Sequence, residues 1–143
     1  MMFVRSHFAY AALLVWLCLI CVGCGGSENS AQISGKVISK GQTLPSGRVV
    51  FTSDSTSCAG DVLDGKYELF NRGEPEIPLA EYTITVFPPA DALVYNPDTG
   101  QEEPAPNRPD PSLFPKKYQK VGSSDIKFTP VAGDNVFEID LGK

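Results

Sequence analysis

Histidine is nearly absent from this 143-residue sequence, and its single copy, His7, lies in an apolar N-terminal segment. The rest of the chain therefore has no imidazole, the side chain that most often serves as a general acid or base near neutral pH. Three of the four cysteines, Cys18, Cys21 and Cys24, lie in or directly after the same segment, which leaves Cys58 alone. A disulfide framework is excluded. We expect no enzyme activity, no cofactor and no metal site.

Positive charge is also scarce. Lys and Arg number 12 against 17 Asp and Glu, a net charge of −5, and Arg5 is the only charged residue before Cys24. The chain from Cys24 onward therefore carries −6. An acidic surface repels phosphate backbones, and no basic run exceeds Lys116-Lys117. The sequence predicts that nucleic acid is not a partner.

The first 23 residues have the pattern of a secretion signal. Arg5 lies in the short segment 1–7, an uncharged apolar stretch covers residues 8–22, and small residues follow. The stretch has 15 residues, whereas crossing a bilayer takes roughly 20. A signal-peptide helix that is cleaved after Gly23 therefore fits better than a permanent span.

The residues at the end of this segment, Cys21-Val22-Gly23-Cys24, resemble the lipobox of bacterial lipoproteins. The resemblance implies that Cys24 is lipidated and becomes the mature N-terminus. The alternatives to lipidation are an ordinary signal peptide cut near Gly23 and an uncleaved anchor. Several acyl chains hold a protein firmly, since each buried CH₂ contributes about 0.8 kcal/mol. Gly25 follows the cysteine, which by resemblance to lipoprotein sorting implies the outer membrane, facing the periplasm or the cell surface. The predicted location is the bacterial cell envelope, with the membrane as a partner through Cys24.

The rest of the chain has the pattern of an all-β domain. Residues 24–31 form a polar tether rich in Gly and Ser, and residues 32–143 form the domain. Short runs rich in Val, Ile, Thr, Tyr and Phe alternate with turn residues such as Asp64-Gly65, as strands do. We predict seven strands, at residues 32–39, 48–53, 57–63, 66–70, 82–87, 125–129 and 135–141. That number of short strands is typical of a β-sandwich.

The clearest alternation is at the end of the chain. Phe137, Ile139 and Leu141 would share one face of a strand, and Glu138 and Asp140 would share the other. Side chains of a strand point to opposite faces in turn, so this pattern predicts a strand with one buried face.

A proline-rich segment at residues 88–118 interrupts the strands. Prolines are frequent up to Pro115 and strand formers are few, so we predict a long loop there. Loops longer than about 12–15 residues in a compact domain are usually functional or disordered. Tyr95, Phe114 and Tyr118 lie in or beside the loop, and we predict that they contact a ligand. The alternative is that these aromatic rings pin the loop to the core.

Six segments resemble the carboxypeptidase regulatory-like, transthyretin-like domain family, to which many small bacterial lipoproteins are similar. They are 33–37 (ISGKV), 41–51 (GQTLPSGRVVF), 64–67 (DGKY), 80–86 (AEYTITV), 114–118 (FPKKY) and 133–137 (GDNVF). The resemblance implies a seven-stranded Greek-key, prealbumin-like (Ig-like) β-sandwich. It also implies an accessory or binding module, since the matching residues belong to turns and the core, and fold alone does not assign activity.

Three more specific functions, a hydrolase, a calcium site and an internal isopeptide bond, have weaker support. Transthyretin-like hydrolases rely on histidines and a C-terminal tetrad, and this chain has neither after the predicted signal at residues 1–23. Asp54, Asp61 and Asp64 are acids near one hairpin, but their spacing fits no calcium loop, and aspartates are common in turns. Lys36 and Asn135 stand at positions where some surface sandwiches form an internal isopeptide bond, but no acid is evidently buried beside them.

The sequence therefore predicts a non-catalytic, lipid-anchored envelope protein with a binding, structural or assembly role. Its partner beyond the membrane would be an envelope protein or a glycan. The alternative is a carbohydrate-binding or enzyme-accessory module that uses the proline-rich loop.

Overall fold

A computed structural model describes residues 29–89, 93–104 and 108–142. The predicted signal helix and the lipidation residue Cys24 lie outside this part of the chain. The described residues form twelve strands: β1 (Ser30–Ser39), β2 (Gln42–Thr43), β3 (Ser46–Thr52), β4 (Ser57–Leu63), β5 (Lys66–Glu68), β6 (Ile77–Pro78), β7 (Tyr82–Phe87), β8 (Leu93–Asn96), β9 (Gln101–Pro104), β10 (Lys127–Phe128), β11 (Gly133–Val136) and β12 (Ile139–Asp140). Two 3-10 turns cover Pro111–Leu113 and Lys116–Gln119.

The all-β class predicted from the sequence is confirmed. Ten strands belong to one curled sheet in the order β10-β7-β3-β4-β5-β1-β11, with β2, β6 and β12 also pairing with β1. β8 and β9 form a separate two-stranded ribbon. The turn between β4 and β5 contains Asp64 and Gly65, both with positive φ, at 50° and 79°. Such a pair suits the tight turn of a two-residue hairpin, so this predicted turn is confirmed too.

The first strand organises the sheet. Along one edge, β1 pairs antiparallel with β6, β5 and β2. Along the other edge it pairs in parallel with β11, where Ser34 lies opposite Val136, and with β12, where Val37 lies opposite Ile139. The end of the chain therefore returns to the strand that began the domain.

The curled sheet encloses one apolar core. Alternate residues of β3 point inward, with Val49 and Phe51 at 0% exposure. The ring of Phe51 lies 6.0 Å from that of Tyr67 on β5 and 6.1 Å from that of Tyr82 on β7, measured between centroids. Tilted aromatic pairs at this distance are favourable, and they join strands from different parts of the sheet.

The predicted strand at residues 135–141 is divided in the structure. β11 ends at Val136 and β12 begins at Ile139, although Ile139 and Leu141 are buried as the alternation predicted. Between the two strands, the carbonyl oxygen of Phe137 approaches Gly35 so closely that a Cβ atom there would collide with it. The same oxygen accepts a hydrogen bond of 2.8 Å from the Tyr67 hydroxyl.

The predicted loop at residues 88–118 also differs from the structure. It contains the β8–β9 hairpin and the first 3-10 turn, so it is not structureless where it is described. Among the described residues this hairpin pairs only with itself, and side-chain hydrogen bonds hold its turn.

Candidate functional site

The β8–β9 hairpin presents Tyr95 to solvent. Tyr95 is 68% exposed and lies opposite Glu102. The turn is held by Asn96, whose side-chain oxygen accepts the backbone N–H of Asp98 at 2.9 Å. The carboxylate of Glu103 accepts hydrogen bonds from Asn96 at 2.9 Å and from Thr99 at 3.0 Å, which lower the pKa of Glu103. The exposed ring therefore sits beside a turn with its own hydrogen-bond network.

Phe114 and Tyr118 lie instead in the core, at 3% and 2% exposure. Phe114 packs on Gly47, where an added Cβ would lie 3.0 Å from the Phe114 ring. The buried hydroxyl of Ser39 donates a hydrogen bond of 2.7 Å to the carbonyl of Leu113, which fixes the preceding turn to β1. These two rings pin the segment to the core, as the alternative predicted.

The structure thus does not present the three predicted ligand-contact residues on one surface. Of Tyr95, Phe114 and Tyr118, only Tyr95 offers a ring to a ligand in this conformation. Ligand contact by the proline-rich loop stays a prediction, and it now depends on the hairpin.

A groove that the sequence analysis did not identify lies on the outer side of β4 and β5. Its volume is about 590 Å³, within the range of small-molecule sites. It lies along the stretch of β4 and β5 between the pair of Leu63 with Lys66 and the bridge of Ala59 with Phe70. Gly60 faces inward, and a Cβ atom there would collide with the carbonyl oxygen of Glu68, so β4 and β5 approach closely at this position.

The groove carries both charges and apolar groups. Arg48 and Asp61 lie opposite each other on β3 and β4, with 3.8 Å between the guanidinium and the carboxylate. Leu63 is 70% exposed at one end of the groove, and Phe70 is 42% exposed. Lys66 also lines it. The arrangement suits a ligand that has an apolar group together with charges of both signs, such as a short peptide.

One feature of the sequence, the outward position of Leu63, could have indicated this groove. Cys58, Gly60 and Val62 point inward on β4, so Leu63 falls on the outward face of the same strand. A large apolar residue at an outward position, just before the Asp64-Gly65 turn, has no role in the core. Which neighbours lie beside it depends on how β3 and β5 pair with β4, and that is not a local property of the sequence.

Cys58, the thiol of the domain, is closed to solvent. It is 1% exposed, and burial raises its pKa. A nucleophilic cysteine needs a lowered pKa, because the thiolate is the reactive form. Its neighbour Tyr82 is also buried, and burial together with Cys58 raises the pKa of Tyr82 to about 12. Cys58 is therefore a packing residue of the core.

The structure also describes the residues of the calcium-site and isopeptide alternatives. In residues 29–142, apart from the gaps at 90–92 and 105–107, no three His, Cys, Asp or Glu side chains are grouped so that they could hold a metal ion. Asp61 pairs with Arg48 instead. The amide of Asn135 is engaged with the backbone of Val131 and Gly133, while Lys36 is exposed.

No protein-family model matches this chain, and no curated protein or solved structure is detectably similar to it. Within the described residues, no helix is both long and apolar enough to cross a bilayer.

Proposed function

We propose that this protein is a non-catalytic lipoprotein of the bacterial cell envelope with a binding, structural or assembly role, anchored at the outer membrane through Cys24. The observation that carries the proposal is the position of Cys24. It follows Cys21-Val22-Gly23 at the end of a 15-residue apolar stretch. The buried Cys58 thiol supports the non-catalytic part, since the residue best suited to nucleophilic chemistry is packed in the core.

We also propose the finer fold class, a Greek-key, prealbumin-like sandwich of the carboxypeptidase regulatory-like, transthyretin-like type. In a Greek key, three consecutive strands are joined by hairpins and a fourth returns to lie beside the first. The order β7-β3-β4-β5 supports this class, because β7 returns past β6 to pair with β3. The connection between β4 and β5 at Leu63 and Lys66 would then join the two layers.

Metabolic labelling with a palmitate analogue tests the anchor. The wild-type chain is expected to take up label and Cys24→Ala to take up none. Cys18→Ala, a matched change inside the apolar stretch, is expected to remain labelled. Equal labelling of the wild type and Cys24→Ala would reject lipidation at Cys24.

The binding role is assigned to the groove on β4 and β5. Peptide arrays would be probed with the wild type, with Leu63→Ser and with Val136→Ser, a matched change at a valine that is 83% exposed and outside the groove. Peptides that bind the wild type are expected to be lost with Leu63→Ser and kept with Val136→Ser. Peptides that bind all three proteins equally would remove the groove from the proposal.

The second candidate is carbohydrate binding by the β8–β9 hairpin, which the 68% exposure of Tyr95 favours. An exposed tyrosine ring can stack on a sugar face. A glycan array is expected to show binding that Tyr95→Ala removes and Val94→Ala, a change at the neighbouring exposed residue, retains. No binding by the wild type, or binding that Tyr95→Ala leaves intact, would contradict this candidate.

A further inference from the structure

Two exposed apolar side chains flank the first residue of β1. Leu79 is 42% exposed and Val131 is 69% exposed. On one edge of β1, Ser30 pairs with Pro78, the residue before Leu79. On the other edge, β11 begins opposite Ala31, two residues after Val131. Leu79 therefore lies level with the chain just before Ser30. Val131 lies on the other side of β1 near its start, because it is two residues from Gly133, which pairs with Ala31, and it hydrogen-bonds to Asn135, which pairs with Ile33.

Buried polar groups hold both of these positions in place. The hydroxyl of Tyr82, which is fully buried, donates a hydrogen bond of 2.7 Å to the carbonyl of Pro78. The side chain of Asn135, which is 9% exposed, accepts the backbone N–H of Val131 at 3.0 Å and donates to its carbonyl at 2.7 Å. It also donates to the carbonyl of Gly133 at 2.8 Å. Because buried polar groups require partners, these bonds fix the backbone that exposes Leu79 and Val131.

The chain that leads away from this end is short. Five residues, 25–29, separate Cys24 from Ser30. Even a fully extended chain of that length spans only roughly 20 Å, at about 3.6 Å per residue. The opposite end of β1 is about 30 Å further away, because its ten residues each add about 3.3 Å.

We infer that the end of the domain at which β1 begins rests on the lipid bilayer, with Leu79 and Val131 in contact with the headgroup region. This inference rests on the proposed lipidation of Cys24, since acyl chains at that cysteine keep this end within reach of the bilayer. Exposed apolar residues on a fixed backbone gain by leaving water at the membrane interface. Glu76 and Asp134 are exposed close by, so neutral headgroups are favoured over anionic ones.

A fluorescent probe at single cysteines tests the contact. The full-length chain would be processed in a bacterial host, purified as the lipoprotein and reconstituted into phosphatidylcholine vesicles. Val131→Cys and Leu79→Cys would each be labelled with an environment-sensitive dye. Gln42→Cys is the matched control, an exposed residue paired with Ser39 at the far end of β1. Cys58 is buried and stays unlabelled.

The labels at positions 79 and 131 are expected to show blue-shifted emission and quenching by spin-labelled headgroups. The label at position 42 is expected to show neither. Adding phosphatidylglycerol at low salt is expected to reduce the shift. Emission typical of water at all three positions, in protein that floats with the vesicles, would overturn the inference and leave the lipid anchor intact. Protein that fails to float would overturn both. A shift seen only in native envelope membranes would indicate a protein partner and overturn lipid contact.

Discussion

The rings of Phe128 and Phe137 stack with 4.4 Å between their centroids and 28° between their planes. Phe128 ends β10 and Phe137 follows β11, and these strands stand at opposite ends of the sheet order. Phe128 also packs edge-on against Phe51, with 6.5 Å between centroids. The stacked pair therefore brings the two ends of the curled sheet together over the core.

Removing one ring of this stack should loosen the closure. Both rings are half-buried, so Phe128→Ala is expected to lower the free energy of unfolding by about 1–3 kcal/mol, less than for a fully buried phenylalanine. Urea unfolding followed by circular dichroism measures the change. Val136→Ala, at the exposed residue beside Phe137, is the control and should leave stability nearly unchanged. Equal stability of all three proteins would contradict a closing role for the stack.

Gly35 should not tolerate a side chain. A Cβ atom there would collide with the carbonyl oxygen of Phe137, so the backbone between β11 and β12 would have to move. Gly35→Ala is expected to lower the free energy of unfolding by about 1–3 kcal/mol, as overpacking does. Gly122→Ala is the matched control, because no atom lies within 4 Å of its added Cβ. The idea fails if both variants have the wild-type unfolding midpoint.

Alkaline pH should destabilise the domain through its buried tyrosines. Burial raises the pKa of Tyr82 to about 12 and also raises the pKa of Tyr67, whereas an unfolded chain loses these protons near pH 10. The stabilisation is complete below about pH 10 and is lost as the pH rises through the folded pKa. The urea midpoint of the wild type is expected to fall as the pH rises from about 10 to about 12. The midpoint of Tyr82→Phe is expected to fall less steeply. Tyr95→Phe, at an exposed ring, should keep the wild-type slope, and a slope unaltered by Tyr82→Phe would count against this mechanism.

Cys58 should react with thiol reagents only when the domain opens. It is 1% exposed and its pKa is raised by burial, so both access and thiolate formation are suppressed in the folded state. In the labelling of a chain carrying Gln42→Cys, the introduced thiol is expected to react at once and Cys58 slowly, at a rate that rises with urea in step with unfolding. Immediate reaction of Cys58 in native buffer would show that the core is open there.

Local patterns predicted several strands well. The bounds of β4 and β7 are those predicted, because turn-forming residues end both runs, Asp64-Gly65 after β4 and Pro88-Pro89 after β7. The proline-rich segment was harder to predict. In the β8–β9 hairpin, β8 contains Val94 and Tyr95, but β9 has no strand-forming residue, and hydrogen bonds from Asn96 and Thr99 to Glu103 join the two strands. Such bonds cannot be predicted from the alternation or the composition of the segment.

The sequence alone determined the all-β class, the buried positions of Ile139 and Leu141 and the turn at Asp64-Gly65, since these follow from side-chain periodicity and from backbone geometry within a few residues. Only the tertiary structure decided that the last strands lie in parallel beside β1 and that Phe114 is buried against Gly47. It also decided that Arg48, Leu63 and Phe70 line one groove. The physical reason is that strand pairing and ring packing join residues far apart in the chain, and the pattern along one segment does not specify its partner.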